Sequence, residues 1–193
     1  MKIVWYNQNM ENKKSNIIAI PGAHGYAPWQ HNTCRDDEVI KPDFFVGKSR
    51  PSINDALDVL RAYADKGILT PDSEILAQSA GSIVITKFIA QENFKLKKLI
   101  TAGGFMGKLK NPITSHIFQN KYGFQITDIE AEIASENIGK SHALYSNNDP
   151  KVELSELEKF AVKLNAVPYK LVNHGHFNKD SGITKIELID ELI

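Results

Sequence analysis

The sequence is poor in cysteine, carries no net charge and lacks any long hydrophobic run. Its single cysteine, Cys34, excludes an internal disulfide and any zinc site built on cysteines. Lysine and arginine together number 23, as do aspartate and glutamate, so the chain has no overall basic charge to favour nucleic acid or an anionic membrane surface. No apolar stretch approaches the ~20 residues that span a bilayer, and Met1 to Tyr6 is too short an apolar run for a signal peptide. We expect a cytoplasmic protein that binds neither nucleic acid nor membranes.

What the chain does have is an alternation of short β-rich runs with helical patterns. The β-rich runs are largely unalternating, which is typical of strands buried on both faces of a parallel sheet. The predicted strands are Ile3–Tyr6, Ile17–Ile20, Phe44–Val46, Ile75–Ala77, Lys98–Ala102, Ala143–Tyr145 and Tyr169–Val172.

The helical patterns fall between these runs. Helices are predicted after the capping boxes Ser52–Asp55 and Ser155–Glu158, and over Ile129–Ala134 and Thr184–Ile193. The alternation predicts a single α/β domain over residues 1–193, a three-layer sandwich with a mostly parallel sheet flanked by helices. Ligands of such sheets lie beyond the carboxyl ends of the strands, so functional residues are expected there.

The segment from Glu74 to Ile85 is the most informative of these strand ends. It reads as a strand, a turn of very small residues and an apolar helix, with Ser79 at the turn between Ala77 and Gly81. This is the pattern of a nucleophile elbow, G-x-S-x-G, with alanine in place of the first glycine. The tight turn exposes the hydroxyl, and the helix start directs backbone N–H groups at a developing oxyanion. Ser79 is therefore a candidate nucleophile.

An activated serine needs a base and an acid that orients the base, and downstream of an elbow the acid precedes the histidine. Asp149 lies just past one predicted strand, and His174 and His176 lie just past the last one. A turn aspartate or a loop histidine is unremarkable alone. Together with Ser79, in the required order at three strand ends, they predict a catalytic triad in which either histidine could be the base.

The turn Pro21-Gly22 lies past the second predicted strand and supplies further candidates. This turn would direct the backbone N–H of Ala23 into the site. There the N–H groups of Ala23 and Ala80 would together form an oxyanion hole. His24 precedes the serine, which is the wrong order for the base, so we assign it a substrate-cleft or a structural role. Trp29 is a second candidate for that cleft, with packing in the core as the alternative.

With these residues in view, the chain resembles the small lidless serine hydrolases that include the YdeN proteins and retinoblastoma-binding protein nine. The resemblance runs from Ile17 to the C-terminus. It rests on Pro21-Gly22, Ala77-Gln78-Ser79-Ala80-Gly81, Asn148-Asp149-Pro150-Lys151-Val152 and Gly175-His176-Phe177.

The resemblance implies an α/β-hydrolase-like fold without a large lid. It also implies Ser79 as nucleophile, Asp149 as acid and His176, rather than His174, as base. The sequence departs from the family at Ala77, which replaces the elbow glycine, and over residues 26–43, which match no family pattern.

These residues predict a serine hydrolase that cleaves a small carboxylic ester, or a related acyl substrate, through an acyl-enzyme intermediate without a metal or other cofactor. Phe105 and Met106 follow another predicted strand and are candidates to line an acyl pocket, with plain loop packing as the alternative. The short stretch between that strand and Asp149 leaves no room for a large lid, so acyl groups that are small or loosely bound are expected.

Three other interpretations use the same features. A weak or inactive hydrolase scaffold would serve as a protein- or ligand-binding module. A flavodoxin-like nucleotide or flavin binder would need a phosphate-binding loop such as G-x-G-x-x-G, a spacing that residues 21–25 lack. A nucleophile at Cys34 has no elbow around it. The reaction of Ser79 with a serine-directed probe separates the first of these from an active enzyme.

Overall fold

The centre of the fold is a parallel sheet. The computed structural model describes residues 16–33, 39–44 and 51–193, and within these ranges six strands pair in the order β2-β1-β3-β4-β5-β6. All of the pairings are parallel. The strands are β1 Ile17–Ile20, β2 Val39–Ile40, β3 Glu74–Gln78, β4 Leu96–Ala102, β5 Ile138–Ser146 and β6 Val167–Leu171.

The predicted α/β fold is confirmed, with differences in individual strands. The short strand β2 was not predicted, and it replaces the strand expected at Phe44–Val46: Phe44 lies in a turn, and residues 45–46 lie outside the described ranges. The strand predicted at Ile3–Tyr6 and the residue Cys34 also lie outside them.

The helices connect the strands in the manner of an α/β protein. They are α1 Ile53–Asp65, α2 Ala80–Glu92, α3 Pro112–His116, α4 Asp128–Asn137, α5 Leu154–Lys163 and α6 Glu187–Leu192. Shorter 3₁₀ turns occupy Pro28–His31 and Lys179–Ser181, and a π-helical turn covers Ile117–Lys121.

Two predicted helix starts have different outcomes. The capping box at α1 is confirmed, since the Ser52 hydroxyl accepts a hydrogen bond from the Asp55 N–H and the Asp55 carboxylate accepts one from the Ser52 N–H. The box predicted at Ser155 and Glu158 is wrong, because α5 already begins at Leu154. The chain enters α5 early because Asp149 accepts hydrogen bonds from the N–H groups of residues 151 and 152 and so fixes the turn before the helix.

The core lies on both faces of the sheet. On one face, α1, α2, α4 and α5 pack against strand residues such as Ile18, Ile75 and Leu99. On the other face, a smaller cluster joins the turn at Pro28–His31 and α6 to the sheet. This gives the three layers that the sequence predicts. No helix in the described part of the chain has the length and apolar character needed to cross a membrane.

The strand order opens a crevice at one place on the edge of the sheet. From β1 the chain moves to β2 on one side, and it then crosses back to β3 on the other side. The loops after β1 and β3 therefore diverge, which is the point where open α/β sheets bind ligands. Pro21 and Ser79 directly follow these two strands. Residues 103–127, which carry α3 and the π-helical turn, form a short cap over this edge, tied to the start of α1 by a hydrogen bond from the Ile53 N–H to the Tyr122 carbonyl.

Candidate active site

Ser79 occupies a strained turn between β3 and α2. Its φ of 50° and ψ of −118° lie in a region that residues other than glycine rarely adopt, at a cost of about 1–3 kcal/mol. The turn is held by hydrogen bonds from the Ser79 N–H to the Ala102 carbonyl and from the Ser82 N–H to the Ser79 carbonyl. Such strain is concentrated at functional sites, and here it directs the serine hydroxyl out of the sheet edge.

The small residues of the elbow permit a close backbone approach. A Cβ on Gly81 would lie 2.6 Å from the carbonyl oxygens of both Ile20 and Pro21, so the start of α2 meets the end of β1 without room for a side chain. The methyl group of Ala77 instead packs within the buried core. The elbow therefore tolerates alanine at its first small position but needs glycine at the second.

Ser79, His176 and Asp149 form a continuous hydrogen-bonded chain. The Ser79 Oγ lies 2.7 Å from His176 Nε2, and His176 Nδ1 lies 2.6 Å from Asp149 Oδ2. An ionised carboxylate only accepts hydrogen bonds, so Nδ1 carries the imidazole proton and Nε2 accepts from the serine hydroxyl. The three residues are 8%, 3% and 3% exposed. This is the geometry of a serine nucleophile with its base and orienting acid.

His174 is not brought to the serine. Its Nδ1 lies 2.8 Å from the Val172 carbonyl oxygen, to which it donates, and its ring stands beside Phe177 with the centroids 5.8 Å apart.

The carboxylate of Asp149 is fixed by the start of the next connection. Its Oδ1 accepts hydrogen bonds from the N–H groups of Lys151 and Val152, at 2.8 and 3.0 Å. The Lys110 ammonium donates to the Asp149 carbonyl at 2.7 Å, which joins the cap to the acid loop. Oδ2 is therefore left directed at the histidine.

The loop that carries His176 is held by the three residues before Asp149. Ser146 Oγ accepts from the His174 N–H at 2.9 Å, Asn147 Oδ1 from the Asn173 N–H at 3.0 Å, and Asn148 Oδ1 from the Gly175 N–H at 2.9 Å. The Ser146 hydroxyl also donates to Asn148 Oδ1 at 2.7 Å. We call residues 146–148 the latch, because they fix the backbone that leads into the histidine.

Two buried side chains hold the same loop from below. Gln78, the residue before the serine, donates from Nε2 to the His176 carbonyl, and Trp29 donates from Nε1 to the Phe177 carbonyl, both at 2.9 Å. Trp29 is 1% exposed and packs in the smaller core cluster. The assignment of Trp29 to the substrate cleft is therefore wrong, and the core alternative is correct. Its large ring fills the space under the histidine loop.

A cavity of about 510 Å³ opens over Ser79. Of the other candidates, Ala23, His24, Ala80 and Phe105 line it. Met106 does not: its side chain is buried in the larger core cluster, and its carbonyl accepts a hydrogen bond from the Ile126 N–H. Phe105 also packs in the larger core cluster, but it lines the cavity and Met106 does not, so the alternative of loop packing applies to Met106.

Two backbone N–H groups at the cavity suit the role of oxyanion donors. Ala80 is the first residue of α2, where the N–H has no carbonyl partner within the helix. Ala23 lies in the loop after β1 that the Gly81 contact holds against the start of α2. Their role in catalysis stays a prediction.

Tyr26 is an ionisable group of the cavity wall that does not compete with the histidine. Its hydroxyl donates to the Pro42 carbonyl at 2.5 Å. Burial, together with the nearby Tyr63 and Asp43, raises the pKa of Tyr26 well above its usual range. It stays protonated at neutral pH and is not a general base.

Comparison with known proteins identifies the family. The model of the family described as serine hydrolase matches residues 20–193, almost the whole chain. The chain belongs to the serine hydrolase family. A search of curated proteins finds no match to its sequence.

Solved structures support the fold of this serine hydrolase. The ydeN gene product of B. subtilis superposes with a TM-score of 0.74 at 21% identity, covering 92% of this chain and 96% of that one. A hydrolase described as YdeN-like, from Pectobacterium atrosepticum, gives 0.68 at 12% identity, with 94% and 89% covered. A carboxylesterase structure from the thaumarchaeon Nitrososphaera gargenis gives 0.64 at 12% identity, with 93% and 89% covered. The predicted resemblance to the YdeN proteins is confirmed; at these identities the likeness concerns the fold.

The residues that hold the Asp149 and His176 loops of this serine hydrolase were not predicted. The sequence predicts no separate role for Gln78, Ser146, Asn147 or Asn148. Consecutive side chains with oxygen acceptors directly before a candidate acid are a usable signal, because such residues readily bind backbone N–H groups in turns. The cap residue Lys110 had no such signal, since its contact with the acid loop depends on how the chain folds over the sheet.

Proposed function

We propose that this serine hydrolase cleaves small carboxylic esters through an acyl-enzyme intermediate on Ser79. The observation that supports the proposal is the buried chain from Ser79 Oγ to His176 Nε2 and from His176 Nδ1 to Asp149 Oδ2 beside a cavity. The hydroxyl and the base are already within hydrogen-bond distance, which is the requirement for general-base activation of a nucleophile.

In the first half of the reaction, Ser79 Oγ forms a bond to the ester carbonyl carbon while His176 Nε2 takes the hydroxyl proton. The carbonyl π electrons move to oxygen, which becomes the oxyanion of a tetrahedral intermediate. His176 then passes the proton to the leaving oxygen as the bond between the carbon and that oxygen breaks. Asp149 stabilises the imidazolium that exists between the two transfers, without itself taking the proton.

The oxyanion would be bound by the N–H groups of Ala23 and Ala80. Loss of one such donor in another serine hydrolase costs about 10²–10³ in kcat, so these groups matter nearly as much as the triad. In the second half of the reaction, water attacks the acyl carbon while His176 removes its proton. The bond between that carbon and Ser79 Oγ then breaks, the proton passes from His176 to Oγ, and the carboxylic acid leaves.

The test is steady-state hydrolysis of p-nitrophenyl acetate by the purified protein and its variants. Ser79→Ala is expected to lower kcat by roughly 10⁶, and Asp149→Asn by roughly 10⁴ because the histidine would take the wrong tautomer, judged from the same changes in other serine hydrolases. Ser82→Ala is the matched control, since Ser82 lies in the first turn of α2, is buried, and has no hydrogen-bond partner for its hydroxyl within the described residues.

Hydrolysis that requires Ser79 and tolerates Ser82→Ala supports the proposal. Absence of Ser79-dependent turnover, in protein that is folded by circular dichroism, would refute it and would leave a binding module built on the hydrolase scaffold.

A further inference from the structure

The cavity over Ser79 has two chemically different sides. One side belongs to the loops that carry Asp149 and His176 and presents Lys151, Asn178, Lys179 and Asp180. The other side is formed by α1, α2, the turn after β2, the loop after β4 and the cap, and its lining is apolar or aromatic apart from the hydroxyls of Thr114 and Tyr122. The members of this second group are Phe44, Ala56, Val84, Phe105, Leu109, Thr114, Ile117, Phe118, Tyr122 and Phe124. Among the described residues, no member of this side carries a charge.

The direction of the reaction assigns the two parts of the substrate to these sides. His176 must protonate the leaving oxygen, so the leaving group lies beside the histidine and its polar continuation. The acyl group is attached to the opposite side of the carbonyl carbon and therefore points away from the histidine. It points toward the apolar side, which we call the acyl arm.

Phe118 joins the cap to the floor of the acyl arm. Its ring stacks on Phe105 with centroids 5.9 Å apart and on Phe124 at 4.8 Å, with interplanar angles of 18° and 16°. Phe105 and Phe124 are buried, and Phe105 directly follows the glycine pair at the end of β4. The floor of the arm is therefore built from rings held in place by one another, a surface that offers apolar contact and no charged partner.

We propose that the acyl arm selects esters of uncharged hydrocarbon acids of medium length, such as hexanoate, over acetate and over acids with a second carboxylate. This inference rests on the proposed function, because it uses the direction in which His176 delivers the proton. Each methylene moved from water to the arm contributes about a fourfold gain, so the four extra methylenes of hexanoate raise kcat/KM more than tenfold over acetate. A carboxylate at the chain end would lose its hydration without gaining a cationic partner.

The experiment compares the p-nitrophenyl esters of acetic acid and hexanoic acid with the mono-p-nitrophenyl ester of adipic acid. The adipate mono-ester has a free carboxylate in place of the terminal methyl group of hexanoate. The wild type is expected to favour hexanoate at least tenfold over each of the others in kcat/KM. Phe118→Ala is expected to reduce the hexanoate-to-acetate ratio at least fivefold. Ile113→Ala is the matched control: it lies on α3 of the same cap but is 72% exposed and does not line the arm, so the ratio stays unchanged.

A second variant provides an independent test in case Phe118→Ala does not fold. Ile117 lines the arm but is 42% exposed, so Ile117→Lys can place a cation there with little disturbance of the core. It is expected to reduce the preference for hexanoate and to raise the relative rate with the adipate ester.

Failure of this proposal and failure of the esterase proposal have different signatures. Ser79-dependent turnover with equal rates for acetate and hexanoate would overturn the acyl arm and leave the esterase. If no ester is turned over, calorimetry on Ser79→Ala with ethyl hexanoate and ethyl acetate decides the question. Tighter binding of the hexanoate, by at least tenfold, supports the arm, and equal binding overturns it.

Discussion

Removal of the Asn148 side chain from the latch tests whether residues outside the triad position its base. Asn148 Oδ1 accepts from the Gly175 N–H at 2.9 Å and from the Ser146 hydroxyl at 2.7 Å. Asn148 is exposed and does not line the described cavity. An effect of Asn148→Ala on turnover must therefore be transmitted through the histidine loop and not through a contact with substrate.

Asn148→Ala is expected to have a small effect on the free energy of unfolding and a larger effect on kcat. Two hydrogen bonds are lost, each worth about 0.5–1.5 kcal/mol net, and water can reach the freed Gly175 N–H, so we expect the free energy of unfolding to fall by about 1–2 kcal/mol. Gly175 directly precedes His176, and a misplacement of about 1 Å at a reacting group can cost about 10² in rate. We expect Asn148→Ala to lower kcat by about 10- to 100-fold while KM changes less than about threefold.

The assay is steady-state ester hydrolysis, with urea unfolding monitored on the same samples. Asn148→Asp keeps the oxygen acceptor and is expected to restore kcat to within about threefold of the wild type. Asn120→Ala serves as the control, since this exposed cap residue bonds to His116 and is remote in sequence from both catalytic loops. An unchanged kcat in Asn148→Ala, or a loss that appears only in KM, would refute the positioning role.

Three further predictions concern the scaffold around the site. Gly81→Ala places a Cβ 2.6 Å from two backbone oxygens, so it is expected to lower the free energy of unfolding by about 1–3 kcal/mol despite the better helix propensity of alanine. Trp29→Phe removes the donor to the Phe177 carbonyl and is expected to cost about 1–3 kcal/mol, with a lower kcat and little change in KM. Burial raises the pKa of Glu130, but hydrogen bonds, chiefly from Lys87, outweigh it and hold that pKa below its usual range, so the carboxylate stabilises the fold above about pH 4.3. The advantage of wild type over Glu130→Gln, about 1 kcal/mol at pH 7, is expected to disappear as the pH falls through the lowered pKa of Glu130.

Urea unfolding and ester hydrolysis check all three. A Gly81→Ala protein as stable as the wild type would contradict the close backbone approach. Wild-type kcat in Trp29→Phe would show that the indole N–H does not position the histidine loop. A difference between wild type and Glu130→Gln that persists unchanged at pH 3 would contradict the ionic contribution, because protonation of the carboxylate removes it in both states.

The parts of the site that could be predicted are those encoded locally. The elbow at Ser79 is a strand, a small-residue turn and a helix in one short segment, so the sequence carries its whole geometry. Asp149 and His176 each follow a strand, and parallel strands bring their carboxyl ends to one edge of the sheet. Order along the chain and position at strand ends were therefore sufficient to propose Ser79, Asp149 and one of the two histidines, and the family resemblance selected His176 over His174.

The parts that could not be predicted depend on packing between distant segments. Trp29 lies 148 positions before Phe177, and no local pattern indicates that its indole supports the histidine loop instead of lining the cleft. Phe105 and Met106 are both apolar, so hydrophobicity does not predict which of them lines the cavity. Only the path of the chain after β4 decides which side chain faces it.

Helix boundaries depended on tertiary contacts in the same way. α5 begins before the predicted Ser155 because Asp149 fixes the preceding turn by accepting hydrogen bonds from two backbone N–H groups. At α1 the capping box is confirmed, since there the local hydrogen bonds and the fold agree. The hydrogen bonds of the Asp149 loop, and not the predicted local capping box, therefore decide where α5 begins.

The central claim is that Ser79 is an activated nucleophile. Intact-protein and peptide mass spectrometry after reaction with a fluorophosphonate at pH 7–9 measures this most directly. We expect one adduct per chain, located on Ser79, absent in Ser79→Ala and strongly slowed in His176→Ala. No adduct on the folded wild type, or an adduct that persists in Ser79→Ala, would contradict the claim.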